Sequence, residues 1–233
     1  MNYLGGKERI ADKIVQTINL YRNPNTTILE PFCGGLSITS RLDNNVIASD
    51  TFKPIITLYK ELQKGWEPPD FVSEEEYQHY KSIKDENDPM TAFVGIGCSF
   101  AGKWFGGYAK DINNSNYAIK AKRSLKRKID NCKDVKFDCK SYKDYNPKDI
   151  VIYCDPPYEN TTGYASGNFD SEEFWDVMRK WSENNLVFIS EYNAPEDFIL
   201  LDEHSKTLGL HTKESKIRTE KLYTRNFEPL FSL

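Results

Sequence analysis

The 233-residue sequence contains three histidines and five cysteines, and neither type is grouped. His79, His204 and His211 stand far apart, and no Cys-x-x-Cys pair occurs among Cys33, Cys98, Cys132, Cys139 and Cys154. A zinc site needs ligands at short, regular spacing, so no metal centre is expected. An odd, scattered set of cysteines reads as free thiols in a reducing cytoplasm, not as a disulfide frame. Long apolar runs are also missing; none approaches the roughly 20 residues of a membrane span. The leading Met1-Asn2-Tyr3-Leu4-Gly5-Gly6-Lys7 has no apolar signal core. Internal repeats and low-complexity tails are absent. What remains is a chain with 39% hydrophobic residues, sized for one α/β domain with a proper core and room for an inserted segment.

Two common phosphate motifs are missing as well. Gly5-Gly6-Lys7 lacks the spacing of a P-loop and no strand precedes it, so it reads either as a plain turn or as a loop closing over a ligand, with Lys7 near a carboxylate. Gly34-Gly35 is not a Gly-x-Gly-x-x-Gly fingerprint.

Charge is unevenly placed. The net charge is −4, which by itself argues against a polyanionic partner. Yet Lys103–Lys148 carries 13 Lys/Arg against 5 Asp/Glu, and Glu159–Glu203 carries 11 acids against 2 bases. Such asymmetry suggests one face for a polyanion and another for solvent.

Three strand ends then stand out. Asp149–Ile152 is a short apolar run, followed by Tyr153-Cys154-Asp155-Pro156-Pro157-Tyr158. A carboxylate, two prolines and an aromatic thus gather where an open α/β sheet places ligands. Asp155 can accept from an amino group, the prolines leave nearby carbonyls free to accept, and Tyr158 offers a face for stacking. Asp-Pro is also ordinary turn chemistry. Asn25–Glu30 reads as a first strand, followed by Pro31-Phe32-Cys33-Gly34-Gly35 and a helix over Leu36–Leu42, an arrangement that lets a cofactor approach the backbone. Val46–Asp50 reads as a second strand. Asp50 can accept from both ribose hydroxyls, or can serve as an N-cap for a helix over Pro54–Gln63.

The remaining pattern predicts helices over Arg9–Leu20, from Ser73 with a Ser73/Glu76 capping box, over Met90–Phe100, over Asn116–Cys132, and from a Ser171 cap to Glu183. Strands are expected at Val135–Cys139, Leu186–Ser190, Phe198–Leu201 and Lys221–Thr224. The loop Glu159–Phe169 has the composition of a lid. Lys103, Trp104 and Tyr108 lie in a glycine- and aromatic-rich stretch that suits either base stacking or core burial. Lys120, Lys122, Arg123, Lys126, Arg127 and Lys128 fall within nine residues with no acid among them, which suits phosphate contacts.

Taken in order, Glu30-Pro31-Phe32-Cys33-Gly34-Gly35, Asp50 and Asp155-Pro156-Pro157-Tyr158 resemble the Dam-like (D12 class, α-group) N6-adenine DNA methyltransferases. Tyr3-Leu4-Gly5-Gly6-Lys7, Phe188–Tyr192 and Thr219–Leu222 extend the likeness over nearly the whole chain. The resemblance implies an α/β fold of the class I, Rossmann-like type binding S-adenosylmethionine (SAM) over 1–66 and 136–233, with a mainly helical target-recognition insert over 67–135. Tyr3, Lys7, Glu30, Phe32, Gly34, Gly35, Asp50 and Asp155 would shape the SAM site. Asp155, Pro156, Pro157 and Tyr158 would hold a flipped adenine in duplex DNA. Lys103, Trp104, Tyr108 and the Lys120–Lys128 run would meet the DNA. A cytoplasmic protein of a bacterial or phage-infected cell, monomeric or weakly dimeric, would follow. Tyr3 stands where relatives often have Trp, and the recognition segment is compact. N4-cytosine or RNA amino groups, a protein amide, or a non-catalytic nucleic-acid binder are the alternatives.

Overall fold

The structure is a computed structural model and describes residues 1–43, 45–110, 115–157, 169–207 and 217–225. Its elements, in chain order, are α1 (Ala11–Tyr21), β1 (Ile28–Glu30), β2 (Val46–Asp50), α2 (Lys53–Gln63), α3 (Glu74–Ile83), α4 (Pro89–Ala92), α5 (Tyr117–Asp130), β3 (Lys136–Cys139), β4 (Val151–Cys154), α6 (Ser171–Trp181), β5 (Leu186–Glu191), β6 (Ile199–Thr207) and β7 (Ile217–Thr224).

The strands form one sheet in the order β3-β2-β1-β4-β5-β7-β6. The first five pair in parallel, and β7 runs antiparallel to both β5 and β6. Parallel strands covered on both faces need apolar side chains on both sides. Accordingly, Ile28, Tyr153 and Phe188 pack into one core with α1, α2 and α5, while Leu29, Ile152 and Ile189 pack into the other with Phe174, Met178 and Trp181 of α6. The segment between α2 and β3 adds Tyr77, Phe93, Ile96 and Leu125 to the first of these cores.

Strand β1 lies between β2 and β4, with Leu29 beside both Ile47 and Ile152. The chain therefore winds outward in both directions from β1, and a crevice opens at the carboxyl ends of β1 and β4. This topology brings Glu30 and Asp155 together.

Several elements differ from the sequence expectation. Leu36–Leu42 makes only one 3-10 turn at Thr39–Arg41, because Gly34 and Leu36 both adopt positive φ and turn the chain sharply. Met90–Phe100 splits into α4 and a wide π turn over Phe93–Gly97. Gly95 lies within this turn, and a Cβ there would sit 2.5 Å from the Trp104 ring, so glycine is what lets the ring pack on it. Helix α6 is capped by Asp170, which accepts from the Glu173 N–H at 3.0 Å, with Ser171 the first helical residue. The Ser73/Glu76 capping box forms as expected. Strands β6 and β7 run longer than their apolar segments, since they pair with each other through polar residues.

Candidate active site

A cavity of about 340 Å³ opens at the carboxyl ends of β1, β2 and β4. Tyr3, Lys7, Glu30, Phe32, Gly34, Gly35, Asp50, Asp155 and Pro157 line it together. Pro156 is buried beside them. Tyr158, and the Glu159–Phe169 loop except Phe169 itself, lie outside the described residues.

The glycine turn is held on every side. A Cβ on Gly35 would lie 2.6 Å from the Tyr3 Cβ, so only glycine lets Tyr3 close over the turn. Gly34 donates its N–H to Asp50 Oδ2 at 3.1 Å, and the Phe52 N–H donates to Oδ1 at 2.9 Å. Tyr59 donates its hydroxyl to the Gly34 carbonyl at 2.6 Å, and Lys128 donates its ammonium to the Gly35 carbonyl at 2.7 Å. Burial pushes the Asp50 carboxyl up, while N–H donors from Phe52, Gly34 and Thr51 oppose the shift. The three donors leave one of the carboxylate's roughly four lone-pair sites for a ligand in the cavity. Asp50 thus ties β2 to the turn; the capping position of α2 belongs to Phe52.

Lys7 sits at the centre of a carboxylate cluster. Its side chain is 3% exposed, with Nζ 2.7 Å from Asp155 Oδ1 and 3.5 Å from Glu220 Oε2. Glu30 is buried and accepts from the Thr39 hydroxyl. Burial, aided by the charge of Asp155, pushes Glu30 up to about 8. Glu191, at the end of β5, is raised to about 7, first by burial and then by Asp155, against the Tyr192 N–H and Lys7. A cation bound beside Glu30 would favour its charged form, so the pocket can offer a carboxylate to a cationic ligand.

Beyond these acids, the cavity wall includes residues that sequence reasoning passed over. Ser141, Tyr142 and Lys143 follow β3, Phe52 follows β2, and Phe169 and Asp170 precede α6. The Phe32 ring meets Tyr142 at 5.2 Å and Phe169 at 6.2 Å. A usable signal existed: ligands collect beyond the carboxyl ends of parallel strands, and Ser141 and Glu191 occupy such positions.

The expected nucleic-acid residues divide into two groups. Lys103, Lys120, Arg123, Lys126 and Arg127 are exposed, although Arg127 pairs with Glu8 at 3.3 Å. Lys122 is half-buried and pairs with Asp70 at 2.8 Å. Lys128 departs from the expected phosphate-facing place. It is buried, bonded to Glu8 at 2.7 Å as well as to Gly35. Trp104 and Tyr108 also turn inward. Trp104 stands edge-on to Phe52 at 4.8 Å, and Tyr108 donates its hydroxyl to the Val72 carbonyl at 2.6 Å. The aromatic that faces outward from this loop is Phe100, 65% exposed.

Five parallel strands wound both ways from β1, closed by the reversed β7, with a glycine turn and an acid at the first two strand ends, define a class I methyltransferase fold. The chain belongs to the D12 class N6 adenine-specific DNA methyltransferase family, which it matches over residues 3–93 and 100–219. It is 25% identical to the type II methyltransferase M.FokI of Planomicrobium okeanokoites across 91% of this chain, and spans 38% of that relative's length. Among solved structures, a tRNA methyltransferase from Aquifex aeolicus aligns with a TM-score of 0.39 at 12% identity, covering 94% of this chain and 69% of that one, and a putative methylase from Haemophilus influenzae aligns with a TM-score of 0.37 at 16% identity, covering 92% of this chain and 98% of that one.

Proposed function

We propose that this protein transfers a methyl group from SAM to the N6 amine of an adenine flipped out of duplex DNA. One observation carries the reading: the Asp155-Pro156-Pro157 strand end opens into the same cavity as the Gly34-Gly35 turn and Asp50. A methyl donor at the turn and an amine at Asp155 would then lie side by side.

The residues fit the cofactor. The cavity volume lies in the small-molecule range, and its carboxylates suit a cationic sulfonium and ammonium. Tyr3, Glu30, Phe32, Gly34 and Gly35 would hold SAM, with Asp50 accepting from a ribose hydroxyl. When bound, SAM supplies an already activated methyl group. The chain's own task is to aim the acceptor. The lone pair of an adenine N6 is delocalised into the ring. Asp155 and the Pro156 carbonyl would accept hydrogen bonds from its two N–H groups and turn that pair toward the methyl; the new N–C bond would replace the S–C bond, with a neutral thioether leaving and one N6 proton released, and alignment would supply most of the rate. Pro157 and Tyr158 would flank the base. No covalent enzyme nucleophile is required.

The target base is out of reach inside a duplex and must be extruded. The segment 67–135 is assigned to target recognition, with Lys103, Lys120, Arg123 and Lys126 offering exposed charge for phosphates. Phe100 supplies the outward-facing aromatic beside the site: a Cβ on Gly102, two residues on, would touch the backbone between Asn2 and Tyr3.

The test is product identity. The protein is incubated with isotope-labelled SAM and methylation-free duplex DNA, and the digested nucleosides are analysed by mass spectrometry. Labelled N6-methyldeoxyadenosine is expected. Labelled N4-methyldeoxycytidine would keep the pocket and change the base, and absence of label in DNA with label in RNA would overturn the DNA reading.

A further inference from the structure

We infer that Glu220 is a positioning residue for Asp155, acting through Lys7. The inference rests on the assignment of Asp155 as the group that receives the amine. Three separate parts of the chain meet at the Lys7 ammonium. Lys7 comes from the N-terminal turn, where the Ile10 N–H donates to its carbonyl at 2.9 Å. Asp155 follows β4. Glu220 projects from β7, where its backbone pairs with His204 of β6, and the next residue, Lys221, pairs with Glu191 of β5. Glu220 is buried and does not line the cavity. It touches Lys7 and can act on the reacting atoms through that contact.

Charge balance explains why a second acid belongs there. Lys7 and Asp155 alone would make a neutral pair, and a carboxylate neutralised by an ammonium at 2.7 Å is a weak acceptor for an amine. Glu220, 3.5 Å from the same nitrogen, takes part of that ammonium's field. The trio then carries a net negative charge. Asp155 stays strongly accepting, and Lys7 stays in place to orient it. Water cannot dilute the interaction, since the Lys7 and Glu220 side chains are 3% and 8% exposed.

Among the described residues, the field also takes in Glu30 from β1, Tyr153 and Cys154 from β4, and Glu191 from β5. Tyr153 and Cys154 are pushed upward by burial and stay neutral through the working range. Glu30 and Glu191 titrate within it and are left intact in the test below.

The decisive variant is Glu220→Gln, which keeps shape and removes charge. Two readouts are taken: the carbon-13 carboxyl titration of Asp155, assigned with Asp155→Asn, and the pH profile of kcat/KM for methyl transfer. Loss of a nearby anion makes Asp155 easier to ionise, so its midpoint and the acid limb should both move down by about half a pH unit. The kcat should fall roughly tenfold, with KM for SAM within about twofold, because ground-state binding is untouched. Glu220→Asp should recover most of the loss. An unmoved midpoint and limb, whatever happens to kcat, would reduce Glu220 to a structural part and overturn the inference. Should wild type transfer no methyl at all, the proposed reaction fails, and the Asp155 midpoint still decides for Glu220. Should Glu220→Gln not fold, Glu220→Asp answers in its place: drawing the carboxylate back from Lys7 should move the Asp155 midpoint the same way by a smaller step, and an unmoved midpoint overturns the inference.

Discussion

The ammonium of Lys128 donates a 2.7 Å hydrogen bond to the carbonyl of Gly35. The basic helix α5 is thereby fastened to the glycine turn that lines the cavity. Lys128 also neutralises Glu8, whose carboxyl would be raised by burial but is held at about 2 by Lys128 and then Arg41. Lys128→Met should destabilise the fold by about 2 kcal/mol, discounted because Glu8 is partly exposed. The sign follows from the depressed Glu8: its contribution is present above its unfolded value of 4.5 and is lost as pH falls toward 2. Thermal melts at pH 7 and pH 3 should therefore differ more for wild type than for Lys128→Met. In contrast, Lys126→Ala should leave the melt alone and lower the salt slope of DNA binding by about one. A salt slope changed equally by both substitutions would return Lys128 to the phosphate face.

The displacement of Lys128 shows where sequence reading runs out. As a charge run, Lys120–Lys128 looks uniform. On a helix, Ala121, Leu125 and Lys128 follow one another at i, i+4 and i+7, so Lys128 falls on the buried stripe. Periodicity carried that information; composition hid it. The strand ends at Glu30, Asp50 and Asp155 were legible because doubly covered parallel strands must be apolar runs. Strands β6 and β7 were read short because their hydrogen bonds, unlike a core, place little demand on side-chain type. Glu191 ends a parallel strand and could have been picked out on that ground; Glu220 could not, since its closeness to Lys7 depends on which strand lies beside which.

Glu30 carries a pH signature of its own. Its carboxyl rises from 4.5 in the unfolded chain to about 8 when folded, chiefly through burial. The folded state therefore binds a proton that the unfolded state releases. Stability from this group is full below about pH 4.5 and is lost as pH climbs toward 8. Glu30→Gln fixes the neutral form. Its melting temperature should match wild type near pH 5 and exceed it at pH 8, as read by calorimetry across that interval. A gap that stays constant with pH would mean that Glu30 does not titrate there.

Asp155→Asn tests the acceptor directly. The amide keeps the shape of the side chain, leaves Lys7 paired with Glu220, and loses the charge that draws on the amine. Methyl transfer should fall by about a thousandfold or more, as expected when an interaction specific to the transition state is removed. SAM binding by calorimetry should change little, because Asp50 and the glycine turn remain. Retention of more than a few per cent of activity would remove Asp155 from its assigned role.

Phe100 and Trp104 separate a surface aromatic from a buried one within a single loop. The loop is well anchored: Phe100 donates its N–H to Gly107, Phe105 donates to Gly95, and Gly107 donates to the Tyr77 hydroxyl. Trp104 packs on Phe52, Phe105 and Gly95, so Trp104→Ala should cost about 3 kcal/mol as a large-to-small core change. Phe100 buries little, so Phe100→Ala should alter stability by no more than about 0.5 kcal/mol. If Phe100 instead spends its apolar face on DNA, its loss should weaken binding and slow base extrusion. Fluorescence of 2-aminopurine at the target position reports that extrusion without requiring methyl transfer. A Phe100→Ala variant that binds and extrudes like wild type would show that this ring has no part in the DNA interface, and would move the search to Lys103 and the exposed face of α5.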